Sequence, residues 1–247
     1  MYTLSEEQRS TMKELEDQPW FPPLLRDFQT AFIGHVVAGF RVYDPFVRYV
    51  REQELEIQPM FDLCSGSGEP ARSMFEESAG FGKLTLSDKF PPRSAGNDPA
   101  YIAHSVDVLS MDFTAGTCYT MFNAFHHFSD AEKVQIVERV LQAGAKGFFV
   151  EILQPTLWCA VKVLFMTTAG CLLFTPFIRP FSWKRLFFTY ILPVNILSIT
   201  FDGMVSVCKV RSVKKYASLF AYGADRVRVS RLKGKWLNLT VIEIIGK

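Results

Sequence analysis

The sequence lacks any Cys-x-x-Cys pair. Its five cysteines, Cys64, Cys118, Cys159, Cys171 and Cys208, are odd in number and far apart. That spacing supports neither a disulfide framework nor a zinc site, and reads as reduced thiols of a cytosolic protein. Charge of one sign is also scarce. The net charge is +2, and no basic run is interleaved with aromatics, so nothing points to nucleic acid as a partner. Apolar runs stop short of a membrane span. Residues 163–178 and 186–201 are each sixteen residues without a charge, where a spanning helix needs about twenty. The first 17 residues are charged and amphipathic, unlike a signal peptide, so a cytoplasmic location is expected.

What is abundant is apolar. Hydrophobic residues make up 49% of the 247, and 23 are phenylalanine, which demands a large core or a greasy cavity. The length suits one α/β domain with an elaboration. Residues 5–16 are polar and helix-prone. After Trp20-Phe21-Pro22-Pro23, apolar residues recur at helical spacing from Leu24 to about Glu52, with a break at Tyr43-Asp44-Pro45. Short apolar runs then alternate with helical patterns. Strands are expected at 59–63, 83–88, 102–108, 118–122 and 148–152. Helices are expected at 71–78, stopped by Gly80, and from Ser129, which opens a Ser-x-x-Glu capping box with Glu132, to Gly144. A short helix over 212–222 precedes two alternating strands, 226–231 and 236–245, joined near Gly234. Strands alternating with helices argue a parallel, doubly wound sheet.

The chain is organised around Pro59-Met-Phe-Asp62-Leu-Cys64-Ser-Gly66-Ser-Gly68-Glu-Pro70: a buried strand, an acid at its tip, a tight glycine turn and a helix start. Asp62-x-Cys64-x-Gly66-x-Gly68 resembles the acid-x-Gly-x-Gly-x-Gly signature of class I S-adenosylmethionine (SAM)-dependent methyltransferases, with Cys64 in place of the first glycine. The run Gly66-Ser-Gly68-Glu-Pro-Ala71 also fits the dinucleotide fingerprint, with Asp88 as its ribose acid. Asp62 favours the methyltransferase, because a dinucleotide fold keeps an apolar residue there.

The resemblance implies an α/β fold, a doubly wound seven-stranded, mostly parallel sheet closed by a C-terminal antiparallel hairpin. It implies SAM as cofactor, held by Asp62, Cys64, Gly66 and Gly68. Asp88 would take both ribose hydroxyls, Asp107 (rather than Asp112) and Val108 would flank the adenine, and Asn123 would meet the amino-acid part. Tyr43 would close over the methionine end. His126 and His127, just after the fourth strand, are the candidate catalytic bases, against the plainer reading that one packs under the helix and the other bonds backbone. No metal is expected, since adjacent histidines point apart and no third ligand is spaced nearby.

Four regions follow: 1–56, an N-terminal helical layer; 57–152, the SAM-binding core; 153–210, an apolar cap; and 211–247, a helix and hairpin completing the core. Three readings of the cap stay open: a lid of buried helices over a hydrophobic pocket, a monotopic patch on the cytoplasmic membrane face with Arg179, Trp183, Lys184 and Arg185 at the headgroups, or a membrane hairpin. The expected activity is methyl transfer to a small hydrophobic acceptor through O, N or C. The alternatives are an NAD(P)-dependent oxidoreductase and a non-catalytic, membrane-attached nucleotide-binding module.

Overall fold

A computed structural model describes residues 6–53, 58–78, 81–223 and 225–246. The expected stop at Gly80 lies outside the described residues. The sheet is built from β1 (Gln58–Leu63), β2 (Phe81–Leu86), β3 (Cys118–Phe122), β4 (Lys146–Glu151), β5 (Val227–Leu232) and β6 (Leu239–Ile244), in the order β2-β1-β3-β4-β6-β5. Strands β1 to β4 pair in parallel, and β6 is antiparallel to both β4 and β5. The terminal hairpin therefore slots its last strand inside the sheet and leaves β5 at the edge.

Among the described residues the sheet has six strands, not the seven expected. Tyr101 makes one isolated bridge to Leu86, and segment 102–108 then runs on beyond β2. Beyond that bridge its backbone bonds to the β2 side thin to the Val106 N–H donating to the Asp88 carbonyl at 2.9 Å. Ala103, His104 and Ser105 are exposed, so this edge stretch buries too little apolar surface to hold a full ladder.

Both sheet faces are covered. On one face lie α2 (Pro23–Gly39) and α3 (Asp44–Glu52), whose Val37, Phe46, Val47 and Val50 join Met60, Phe122, Phe148 and Val241 in one cluster. The break between them falls at Arg41, with φ of 50°. On the other face are α5 (Asp130–Gln142), which buries Ile136, Val137 and Val140, and α9 (Val213–Leu219), which buries Tyr216. Helix α5 starts at the expected capping box, with the Glu132 N–H donating to Ser129 Oγ and the Ser129 N–H to Glu132 Oε2. Gly144, at φ of 69°, follows its end. Helix α4 (Ala71–Glu77) leaves the glycine turn.

The first helix, α1 (Glu6–Thr11), stops well before residue 16. Residues 12–22 leave the helix because their polar groups bond elsewhere: the Leu15 and Glu16 N–H groups donate to the Asp202 carboxylate at 2.6 and 3.2 Å. The apolar cap is α6 (Leu157–Phe177), α7 (Trp183–Ile191) and α8 (Val194–Lys209), the last two bent by 78° at their junction, where Pro193 sits. Helix α8 crosses α6 closely at Gly203, where an added Cβ would lie 2.8 Å from Val163 Cγ1. The inner side of the cap buries Cys159, Thr167, Cys171, Thr175 and Asn195; its outer side is apolar and exposed.

Candidate functional site

At the tip of β1 the chain turns through three residues of positive φ: Cys64 at 55°, Gly66 at 51° and Gly68 at 91°. Cys64 thus adopts the conformation that a glycine takes freely and an L-residue adopts only at a cost. The turn is pinned from below. The Asp62 carbonyl accepts from Ser65 Oγ, Ser87 N–H and Ser87 Oγ at 2.9–3.0 Å, and its carboxylate accepts from Thr120 Oγ1 at 2.6 Å. Asp62 is buried and stands behind the cavity wall rather than on it. Burial pushes its carboxyl up to about 7, against the hydrogen bond from Thr120. Above the turn runs α2, whose Thr30 Cγ2 would lie 3.2 Å from a Cβ added at Gly66.

The second acid faces the turn. Asp88 Oδ2 accepts the Gly66 N–H at 2.9 Å and Oδ1 accepts the Phe90 N–H at 2.8 Å. Burial raises its carboxyl, and the two N–H groups oppose that shift. Asp107 follows, its Oδ2 taking Lys89 Nζ at 2.7 Å and its Oδ1 the Leu109 N–H at 3.0 Å. Partial burial works upward on it, but those two donors prevail and hold it below its ordinary value. Val108 is buried beside it.

At the end of β3, Asn123 has φ of 52° and leaves its buried Oδ1 without a hydrogen-bond partner. Next, His126 is clamped twice by one carboxylate: its backbone N–H donates to Glu151 Oε1 at 2.8 Å, and its Nδ1 lies 2.9 Å from Glu151 Oε2. Its Nε2 is buried and unpartnered. His127 sits in a charged nest, with Nδ1 2.8 Å from Asp17 Oδ2 and Nε2 3.2 Å from Glu14 Oε2. Burial works to lower its basicity, but the charges of Asp17 and Glu14 carry it up to about 10, so at neutral pH it is a cation. Asp17 is drawn down to about 2 by the same pairing, against burial.

The two rings do not point apart. Their centroids are 4.6 Å apart, and ligand atoms of Glu14, His126 and His127 lie within 4.8 Å of one another. A cation already serves this acid: Lys209 Nζ is 3.1 Å from Glu14 Oε1.

These elements border one cavity of about 1110 Å³. Of the residues singled out in the sequence, Cys64, Gly66, Asp88, Asp107, Val108, Asn123, His126 and His127 line it, as does Tyr43; Asp62 and Gly68 do not. Phe32, Val36, Phe40, Val163, Met166, Leu173 and Phe174 give it an apolar half walled by α2 and α6. The volume exceeds that of an ordinary single-ligand pocket and leaves room for two molecules side by side. Glu14, Glu16, Asp17, Lys209 and Glu151 were not found in the sequence. Only Glu151 had a local signal, a lone acid in the apolar run Phe148-Phe-Val-Glu-Ile152.

No family model matches the sequence, and no curated protein sequence does. Solved structures match it in fold. An O-methyltransferase family 2 protein from Planctomyces limnophilus, in complex with apigenin, is 13% identical over 89% of this chain, with a TM-score of 0.51. The chain spans 62% of that protein's length, less than two thirds. The plantazolicin methyltransferase BpumL, in complex with a pentazolic desmethylPZN analog and S-adenosylhomocysteine (SAH), is 9% identical over 91% of this chain and 97% of its own, with a TM-score of 0.50. At such identities the likeness is one of architecture. The chain shares a Rossmann-like α/β fold with these methyltransferases.

Proposed function

We propose that the protein transfers a methyl group from SAM to a small, apolar acceptor. One observation carries the reading: the left-handed turn at Cys64–Gly68, the acids Asp88 and Asp107, and the orphaned Asn123 Oδ1 all border the same cavity, except Gly68, which completes the turn behind it. Two further features fit a bound SAM. Asn123 Oδ1 is a buried acceptor in want of a donor, which an ammonium group supplies. The Asp88 carboxylate lies beside bare backbone of the turn, suited to ribose hydroxyls.

SAM, when bound, supplies an electrophilic methyl carbon. The chain's own part is to orient the acceptor, exclude water and manage a proton. Of the two histidines, His126 is the base in this reading. Glu151 holds Nδ1 as the proton-bearing nitrogen, which leaves Nε2 with its lone pair free. His127, already a cation, supplies positive charge instead and cannot accept a proton. The apolar half of the cavity, from Phe32 to Phe174, suits an acceptor with little polarity.

Calorimetric titration with SAM, SAH and NADH tests the reading. Binding of SAH with no response to NADH is expected. Binding of NADH alone overturns it in favour of an oxidoreductase. Asp88→Ala is expected to weaken SAH by about tenfold or more, because it removes the carboxylate and frees two N–H groups.

A further inference from the structure

The outer side of the cap is unlike the rest of the surface. Among the described residues, every exposed large hydrophobic side chain except Trp20, Tyr222 and Trp236 lies between Leu157 and Phe201. Trp183 is 76% exposed, Ile191 73% and Leu197 67%. Scattered apolar residues need no explanation, but a contiguous field of this extent does.

Charge says what covers it. From Ile152 to Phe201 the chain has no Asp or Glu, and its four charged residues, Lys162, Arg179, Lys184 and Arg185, are all basic. Arg185 turns inward and donates to the Ile178 and Pro180 carbonyls. Arg179 and Lys184 stay exposed on either side of Phe181 and Trp183. An apolar face rimmed by tryptophan and cations, with no acid, complements a bilayer interface carrying anionic lipids.

The cavity opens onto this face. Phe165 and Leu173 line the cavity and are also 66% and 62% exposed, so one set of side chains belongs to both surfaces. Helix α6, though apolar and long enough to span, has Thr167, Cys171 and Thr175 buried on its inner side and walls the cavity with Met166, Thr167, Gly170 and Phe174. Inserting it across a bilayer would strip that wall, so the helix lies in the interface instead.

We infer that the outer face of 157–201 docks into the interface of an anionic membrane and that the cavity draws its acceptor, a lipid-dissolved molecule, from that bilayer. The choice of acceptor rests on the proposed methyl transfer; the docking does not.

The test is flotation of the purified full chain with vesicles of phosphatidylcholine alone or with phosphatidylglycerol, with SAH affinity measured on the same preparations. The chain is expected to float, more strongly with phosphatidylglycerol. Ile191→Glu with Leu197→Glu, neither of which lines the cavity, is expected to weaken vesicle binding about tenfold or more per side chain and to leave SAH binding intact. Arg179→Glu with Lys184→Glu, both exposed, is expected to remove the preference for phosphatidylglycerol. Wild-type protein that stays at the bottom of the gradient with both vesicles while binding SAH overturns the docking and spares the proposed activity. Floating protein that binds no SAH overturns the activity and the lipid acceptor, and spares the docking. A stable dimer in vesicle-free buffer that Ile191→Glu with Leu197→Glu makes monomeric overturns the docking in favour of a second copy on this face.

Discussion

His126 and Glu151 meet through two bonds to a single carboxylate, 2.8 Å from the backbone N–H and 2.9 Å from Nδ1, in a place where both side chains are buried. Such a clamp fixes the ring and its tautomer and leaves the buried Nε2 without a partner, on a residue that lines the cavity. In the proposed reaction, His126→Asn lowers kcat about 10²–10⁴-fold toward a hydroxyl acceptor and leaves SAH affinity unchanged. Glu151→Gln keeps the backbone bond, loses the charge, and lowers kcat by a smaller factor. Labelled methyl transfer to a lipid extract, beside SAH calorimetry, reads both. Equal losses of SAH binding and turnover would assign the pair to holding the cavity floor.

Asp17 and His127 form the second pair, and its pH dependence has a defined sign. His127 is raised from 6.5 to about 10, so its contribution to stability is complete below about 6.5 and is lost as pH rises through 10. Asp17 is lowered from 3.8 to about 2, so its contribution is complete above about 3.8 and is lost as pH falls through 2. Both describe one interaction, at full strength between about pH 4 and 6.5. Asp17→Asn is therefore expected to cost most in that window. The Asp17 side chain is 40% exposed, so screening limits the loss to about 1 kcal/mol. Thermal melts across pH measure it, and a variant whose deficit grows above pH 10 contradicts the assignment. In the wild type the His127 ring resonances should not titrate between pH 5 and 8.

The turn, the capping box at Ser129 and the terminal hairpin were legible because short-range chemistry encodes them: glycine where φ is positive at Gly66, a hydroxyl three positions before a helical N–H, and a β-prone, mostly apolar run at residues 239–244 that is buried throughout. Segment 102–108 misled because its apolar residues promise a strand, while its edge position exposes Ala103–Ser105 and denies them a second ladder. The charged nest around His127 was illegible for a different reason. Glu14 and Asp17 reach it from the other end of the chain, in a stretch whose composition favours helix, and only Lys209, Asp202 and His127 together draw it out of one. Asp62 was legible as an acid at a strand tip, but not that it would turn beneath the loop to Thr120.

That placement of Asp62 has a measurable cost. Its carboxyl is raised from 3.8 to about 7, so ionisation favours the unfolded chain. Stability from this group is unaffected below about 3.8 and falls as pH climbs to 7, by an amount on the order of a few kcal/mol. Asp62→Asn keeps an oxygen for Thr120 and removes the ionisation. Compared with the wild type, the variant is expected to gain stability progressively from pH 4 to 7. Urea melts at several pH values check this, and a constant difference between the two proteins across that range would mean that Asp62 ionises in the folded state as easily as in water.

Cys64 is where the turn departs from its glycine pattern, and the backbone has kept the glycine conformation, φ of 55°. A side chain in the left-handed region costs about 1–2 kcal/mol, whereas glycine costs about 0.5–1 kcal/mol in lost chain entropy. The two nearly balance, with the strain the larger. Cys64→Gly also gives up the sulfur's packing against the core, and is therefore expected to lie within about 1 kcal/mol of the wild type. Cys64→Ala keeps the strained Cβ, gives up the sulfur's packing, and should be the least stable of the three. Because Cys64 lines the cavity, removing its side chain also opens the turn to a closer approach, and SAH is expected to bind Cys64→Gly at least as tightly as the wild type. Urea midpoints for the three proteins, with SAH calorimetry on each, decide the matter. If Cys64→Ala proves more stable than Cys64→Gly, the strained Cβ costs less than the chain entropy that a glycine loses, and the left-handed backbone is not what distinguishes this position.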